Sequence, residues 1–203
     1  MILIDVSTAL YQGMPQYPKD AKLSVKTVRG KDNSLISSVS LSAHSGTHVD
    51  APAHYLKGGK TVLEVGLERL CGRAKVCDVT SCKGEIAPRH LQCFRIKAGD
   101  IVLLKTGHAR ALAKSGFTKD YPSLTEEAAL YLSSKNVKAV GIDTLSIDAY
   151  GCDMAHRILL KSGIPIIEGL DMSLAGNGSY TFICLPLKFM GLEAAPARCV
   201  LLK

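Results

Sequence analysis

His44-Ser45-Gly46-Thr47-His48-Val49-Asp50-Ala51-Pro52-Ala53-His54 places three of the chain's six histidines and one carboxylate within eleven residues. Neutral imidazole and carboxylate are the donors that bind borderline divalent cations such as zinc or manganese. An isolated histidine would read as a surface or core residue; this cluster reads as a metal site. Gly46 allows a tight bend without a steric penalty. Pro52 drives Ala51 into an extended conformation. The stretch is therefore expected to run as strand and then loop, with ligands folded about a point, and not as a helix with histidines one turn apart.

Outward from this stretch, the composition narrows the options. A chain of 203 residues with 47% apolar and 21% charged residues can bury one substantial core, so a single domain spanning 1–203 is expected. No apolar run reaches the roughly 18 residues a membrane helix needs. Met-Ile-Leu-Ile-Asp has no basic leader, so it reads as a first strand and not as a signal peptide. The seven cysteines are odd in number and contain no Cys-x-x-Cys pair, which points to reduced thiols in a cytoplasmic protein. The net charge of +7 is scattered and aromatic residues make up only 5%, so a nucleic-acid groove and a membrane partner are not expected. A diffuse positive field suits a small anionic substrate.

Taken in order, residues 2–6 read as a strand. Met14-Pro15-Gln16-Tyr17-Pro18-Lys19-Asp20 is a stiff extended loop carrying Tyr17. Residues 23–29 alternate apolar and polar, as a half-buried strand does, and pair with 35–43 as a hairpin across Gly30 to Ser34. Thr61 is placed to cap a short helix. Further strands are expected at 74–79, 100–105, 138–142, 164–167 and 180–185. One helix begins near Ser123, where Ser-Leu-Thr-Glu matches a capping box, and runs to about Ser134. Another fits 153–162, with Asp153 as N-cap and Gly163 as its stop. A β-rich first part followed by alternating elements predicts an α/β fold on a mixed sheet.

More candidate ligands lie downstream. His156 sits near the start of the 153–162 helix, and Glu168 closes the apolar strand Ile164-Pro165-Ile166-Ile167. A carboxylate ending a buried strand needs a partner or a cation. Asp143 and Asp148 are open to two readings, loop capping or a place in the site. His90 and His108 read as structural or surface residues.

The 44–54 segment resembles the signature of the cyclase family of metal-dependent hydrolases, which includes bacterial kynurenine formamidases and isatin hydrolases. The resemblance continues through Leu104-Lys105-Thr106-Gly107, Gly141-Ile142-Asp143-Thr144-Leu145-Ser146-Ile147-Asp148, His156-Arg157-Ile158-Leu159-Leu160 and Glu168-Gly169-Leu170. It implies a swivelling β/β/α fold, a homo-oligomer, often a dimer, and two divalent ions per subunit. His44, His48 and Asp50 would hold one ion, and Asp50 would bridge to a second held by His156 and Glu168. His54 would be the catalytic proton carrier. Tyr17 stands where the formamidases carry a tryptophan that packs on the substrate ring, and Leu145 where they commonly carry proline.

The activity so implied is metal-dependent hydrolysis of an aryl formamide, with N-formylkynurenine as the type substrate and the zinc- or manganese-loaded site as the catalyst. Opening of a cyclic amide or lactone is the alternative, and a non-catalytic metal- or ligand-binding protein is a third reading. No Gly-x-Ser-x-Gly elbow and no cysteine–histidine motif supports a side-chain nucleophile.

Overall fold

The computed structural model describes residues 2–82 and 84–203. Its strands are β1 (Leu3–Asp5), β2 (Ser24–Arg29), β3 (Leu35–Ser40), β4 (His48–Asp50), β5 (Cys71–Asp78), β6 (Glu85–Ile86), β7 (Ile101–Lys105), β8 (Ser123–Leu124), β9 (Ala139–Ile142), β10 (Ile166–Glu168), β11 (Gly178–Pro186) and β12 (Ala194–Leu202). The helices are α1 (Leu67–Leu70), α2 (Pro88–Leu91), α3 (His108–Ser115), α4 (Glu126–Ser134) and α5 (Met154–Lys161).

Eight strands form one mixed sheet in the order β1-β12-β11-β5-β7-β9-β10-β4. β5, β7, β9 and β10 run parallel, as connections through helices allow, while β11, β12 and β4 join antiparallel. β4 pairs with β12 as well as β10, and this closes seven of the strands into a barrel, with β1 attached outside the ring to β12. The mixed α/β architecture follows the sequence pattern. The closure does not, because β12 carries proline and arginine in its middle, which obscures its strand character.

Strand alternation divides the core in two. Val49, Val76, Leu103, Ile167, Phe182 and Leu201 point into the barrel. Val102, Leu104, Val140, Ile142 and Ile166 face outward, where α4 and α5 cover them with Ala128, Leu132, Ala155 and Leu159. Because β4 alternates too, Val49 enters the barrel while His48 and Asp50 emerge on the outer face beneath α5.

Four expectations are corrected. The hairpin of β2 and β3 forms in the expected register, with Val25 opposite Val39 and Val28 opposite Ile36, but every one of its residues is exposed. It is not half-buried, since no layer among the described residues covers either face. Helix α4 is capped by Thr125, whose hydroxyl accepts from the Ala128 amide at 3.2 Å. Ser123 cannot cap it, being buried in β8 opposite Glu85 of β6. Asp153 occupies the N-cap position of α5, but its side chain bonds none of the first amides and pairs instead with Arg157 at 2.7 Å. Thr61 closes a turn onto Glu64, and the first helix begins only at Leu67.

The turn after β10 holds the two ligand-bearing strands in register. Gly169 adopts φ +65°, and a Cβ there would be driven into the backbone carbonyl of Gly46. Gly169→Ala is therefore expected to cost at least about 1 kcal/mol of stability and to lower metal retention by displacing β4 from β10, measured by chemical denaturation and elemental analysis.

Candidate active site

The register of short strands assembles the site. Glu168 lies directly opposite His48 across the β10–β4 pair, and Ile166 opposite Asp50. His44 enters from the turn ahead of β4, and Gly46 takes φ +64° to make the bend between the two histidines. His54 ends a single 3-10 turn, Pro52–His54, that starts on Pro52 as β4 finishes. His156 descends from the first turn of α5.

These six residues converge. His44 Nδ1 stands 2.9 Å from Asp50 Oδ1, and His48 Nε2 is 3.5 Å from the same oxygen. The other oxygen of Asp50 faces His156 Nε2 at 3.4 Å, and His156 Nε2 is also 3.2 Å from Glu168 Oε1. His48 Nε2 is 3.7 Å from Glu168 Oε2. Donor atoms of His44, His48 and Asp50 lie within 4.8 Å of one another, and so do those of Asp50, His54 and His156. His54 thus stands closer to the ligand set than its expected role as proton carrier requires, with its ring centroid 4.4 Å from that of His44.

Hydrogen bonds around the cluster aim its donors inward. The Gly46 carbonyl can only accept, so His48 Nδ1 donates to it at 2.9 Å and leaves Nε2 free toward the site. Asp148 does the same for His156, accepting from its Nδ1 at 2.6 Å. The Asp148 carboxylate also accepts from the Ala155 and His156 amides at 2.8 and 3.0 Å, so this residue caps α5 from a distance. Asp143, the other open carboxylate, accepts from Thr106 and Gly107 and ties two strand ends together. Glu193, which no sequence motif flagged, reaches His44 Nε2 at 3.3 Å. His90 bonds its own helix start, and His108 lies outside the cluster.

Electrostatics identify what is missing. His48 Nε2 is buried without a hydrogen-bond partner, and the two buried oxygens of Asp50 face imidazole nitrogens, His44 Nδ1 at 2.9 Å on one and His156 Nε2 at 3.4 Å on the other. Burial disfavours an imidazolium, yet the hydrogen bond and charge of Asp50 raise His44 to about 9. His156 is raised too, Glu168 and Asp148 outweighing its burial. Burial would raise Asp50, but the facing imidazoles hold it well below the usual carboxylate range. Two buried carboxylates here recruit protons onto the histidines, and a divalent cation satisfies the same oxygens and nitrogens without them. The residues present fit a divalent metal.

A cavity of about 200 Å³ opens onto the cluster, lined by Tyr17, Lys19, Asp20, Tyr55, Leu145, Ser146 and Cys152 beside His44, His48, His54, His156 and Glu168. Tyr17 sits in an aromatic wall, 5.7 Å from Phe117 and 5.8 Å from Tyr150. Tyr55 stacks near His156 at 5.0 Å on the far side. Lys19, Asp20, Tyr55, Phe117 and Tyr150 were not singled out from sequence; only the shared loop of Tyr17, Lys19 and Asp20 hinted at them.

A closed mixed barrel carrying an outward-facing cluster of buried imidazoles and carboxylates defines a hydrolytic enzyme acting on a small molecule at a divalent-metal site. The model of the Cyclase family matches residues 4–149, and the chain belongs to that family. It is 31% identical to the kynurenine formamidase of Bacillus mycoides over 98% of this chain and 96% of that one. The Bacillus cytotoxicus kynurenine formamidase is 32% identical, with the same coverage. Among solved structures, a predicted metal-dependent hydrolase from Bacillus stearothermophilus is 33% identical and superposes with a TM-score of 0.87 over 98% of this chain and 97% of that one. Isatin hydrolase A from Labrenzia aggregata shares the fold, with a TM-score of 0.86 over 98% of this chain and 93% of that one at 20% identity.

Because Asp148 fixes the orientation of His156, Asp148→Asn is expected to lower zinc affinity about 10–100-fold in equilibrium titration, while the amide oxygen still caps α5 and the helical circular dichroism is unchanged.

Proposed function

We propose that this chain is an arylformamidase acting on N-formylkynurenine or a closely related aryl formamide, with residues 1–203 working as one catalytic unit. The observation that carries this reading is the buried carboxylate of Asp50, set between His44 and His48 on one side and His156 on the other, with those three histidines opening onto an aromatic-walled cavity. The full-length likeness to kynurenine formamidases supports it.

In this reading His44, His48 and Asp50 would hold one divalent ion, and His156 and Glu168, with Asp50, would hold a second. Support for two ions is the opposed facing of the two Asp50 oxygens. The imidazole-rich donor set suits zinc, with manganese as the other candidate. The bound cation supplies Lewis acidity and brings the pKa of water from about 15.7 toward about 7. His54 carries the proton. Burial lowers its pKa, so its ring is neutral near pH 7, able to take a proton from the attacking water and return it to the departing aryl amine. Tyr17, backed by Phe117 and Tyr150, packs on the substrate's ring and sets it against the cluster.

The alternative is opening of a cyclic amide, supported by the fold shared with isatin hydrolase A and by Tyr17 and Leu145 lining the cavity where the formamidase motifs carry other residues. Zinc- or manganese-loaded protein is expected to release formate and kynurenine from N-formylkynurenine, and to lose that activity on chelation. Hydrolysis of isatin but not of the formamide would transfer the assignment to the alternative. His54→Ala is expected to lower kcat at least about 100-fold with metal content unchanged. Metal lost along with activity would make His54 a ligand, as its nearness to Asp50 and His156 permits.

We infer further that the enzyme is a homodimer in a reducing, cytoplasmic compartment. All seven cysteines are free, including Cys184 and Cys199, which face each other across β11 and β12. Val25, Val28, Leu35, Ile36 and Val39 leave the β2–β3 hairpin with an apolar surface that a second copy would cover. Light scattering is expected to give twice the chain mass. Val28→Lys combined with Ile36→Lys should yield monomers, and a wild-type monomer would overturn this reading.

A further inference from the structure

The catalytic cavity carries two charges that the hydrolytic chemistry does not use. Lys19 is the only ammonium among its described lining residues, and Asp20 the only carboxylate there besides Glu168. Neither has an ion-pair partner among the described residues. Both lie in the loop that carries Tyr17, and this loop is held. The Asp20 amide donates to the Tyr17 carbonyl at 3.0 Å, closing a turn over residues 17–20. Gln16 clamps the ends of that turn: its Nε2 donates to the Ala21 carbonyl at 3.0 Å and to Ser45 Oγ at 3.2 Å, and its Oε1 accepts from the Leu23 amide at 3.0 Å. Ser45 is buried and directly follows His44. One side chain therefore fixes Tyr17, Lys19 and Asp20 relative to one another and to the metal-binding motif.

We propose that Lys19 and Asp20 form a subsite for a zwitterionic amino-acid headgroup. The Lys19 ammonium donates to the substrate's α-carboxylate, and the Asp20 carboxylate accepts from its α-ammonium. The assignment rests on the aryl formamide reading above and deepens it: the enzyme selects aryl formamides that bear an α-amino-acid side chain over bare aryl amides and lactams.

Tyr17, Lys19 and Asp20 line the same cavity as His54 and Glu168, so a substrate seated on the Tyr17 ring meets both the cluster and the charged turn. Its ring packs on Tyr17 and its formamide points to the His54 side. The side chain ortho to the formamide carries the charged α-carbon past the ring, to the part of the turn that Lys19 and Asp20 occupy. Adjacent residues of opposite charge fit the two ends of a zwitterion, where either charge alone would reject half of it. A lactam without the headgroup leaves both charges facing only water, so it gains nothing from them.

The test compares N-formylkynurenine with 2′-formamidoacetophenone, which keeps the ring, the ortho ketone and the formamide but lacks the amino-acid end. The wild type is expected to favour N-formylkynurenine by at least about tenfold in kcat/KM. Lys19→Met and Asp20→Asn should each collapse that ratio toward unity, chiefly through KM. A second readout needs no turnover: calorimetric titration of the metal-free protein should show kynurenine binding at least about tenfold tighter than 2-aminoacetophenone, with the difference lost in Lys19→Met. Equal rates on both formamides, or a preference that survives both substitutions, overturns the headgroup subsite and leaves the formamidase reading intact. Hydrolysis of neither formamide under any metal load removes the formamidase reading itself, and the subsite with it.

Discussion

Asp50 is fully buried, and its two oxygens face the imidazoles of His44, His48 and His156. An uncompensated carboxylate in such a place costs several kcal/mol, a large part of a domain's net stability. The rest of the architecture can be understood as what makes that placement tolerable. β4 is only three residues long, yet it pairs on both edges, with β10 and with β12, so the strand bearing Asp50 cannot swing outward to hydrate it. Thr47 adds a lock just before the strand, its hydroxyl donating to the Gly169 carbonyl at 2.6 Å and accepting from the Thr8 amide at 2.8 Å. A strand this short would fray at a sheet edge; as the stave that closes a barrel it is held from both sides.

How much of this was legible in the sequence depends on the range of the interaction involved. The 44–54 motif is local, and its glycine bend, extended Ala51 and alternation of Val49 against His48 and Asp50 follow from backbone sterics and strand period. Glu168 was legible as a charge ending an apolar strand, but its position opposite His48 is a matter of register between segments more than a hundred residues apart. The hairpin misled because alternation marks a strand with two chemically different faces, not a face that the same chain covers. Ser123 misled for a related reason: the capping-box pattern was present, but pairing with β6 took the serine into a strand and passed the cap to Thr125. Asp148 shows the opposite case. Its chain position gave no preference between capping and a site role, and in the fold it does both, bonding the first amides of α5 and the His156 ring with one carboxylate.

The second consequence is a division between the part of the molecule that carries the candidate ligands and the loop that walls the cavity. Every donor in the cluster lies on a strand, a helix start or a turn bonded into the barrel. The loop from Gly13 to Leu23 meets that frame through Gln16 on Ser45 and through the aromatic neighbours of Tyr17. A change at position 17, 19 or 20 therefore alters the wall of the cavity without moving a cation ligand. Tyr17 therefore belongs to the wall of the cavity and not to the candidate ligand set. Phe117 and Tyr150 back the Tyr17 ring, so this aromatic surface is drawn from three segments of the chain. A composite surface of this kind tolerates a shift in ring position, and under the proposed subsite the charged turn beside it would fix which ring-bearing molecule is held in register with His54.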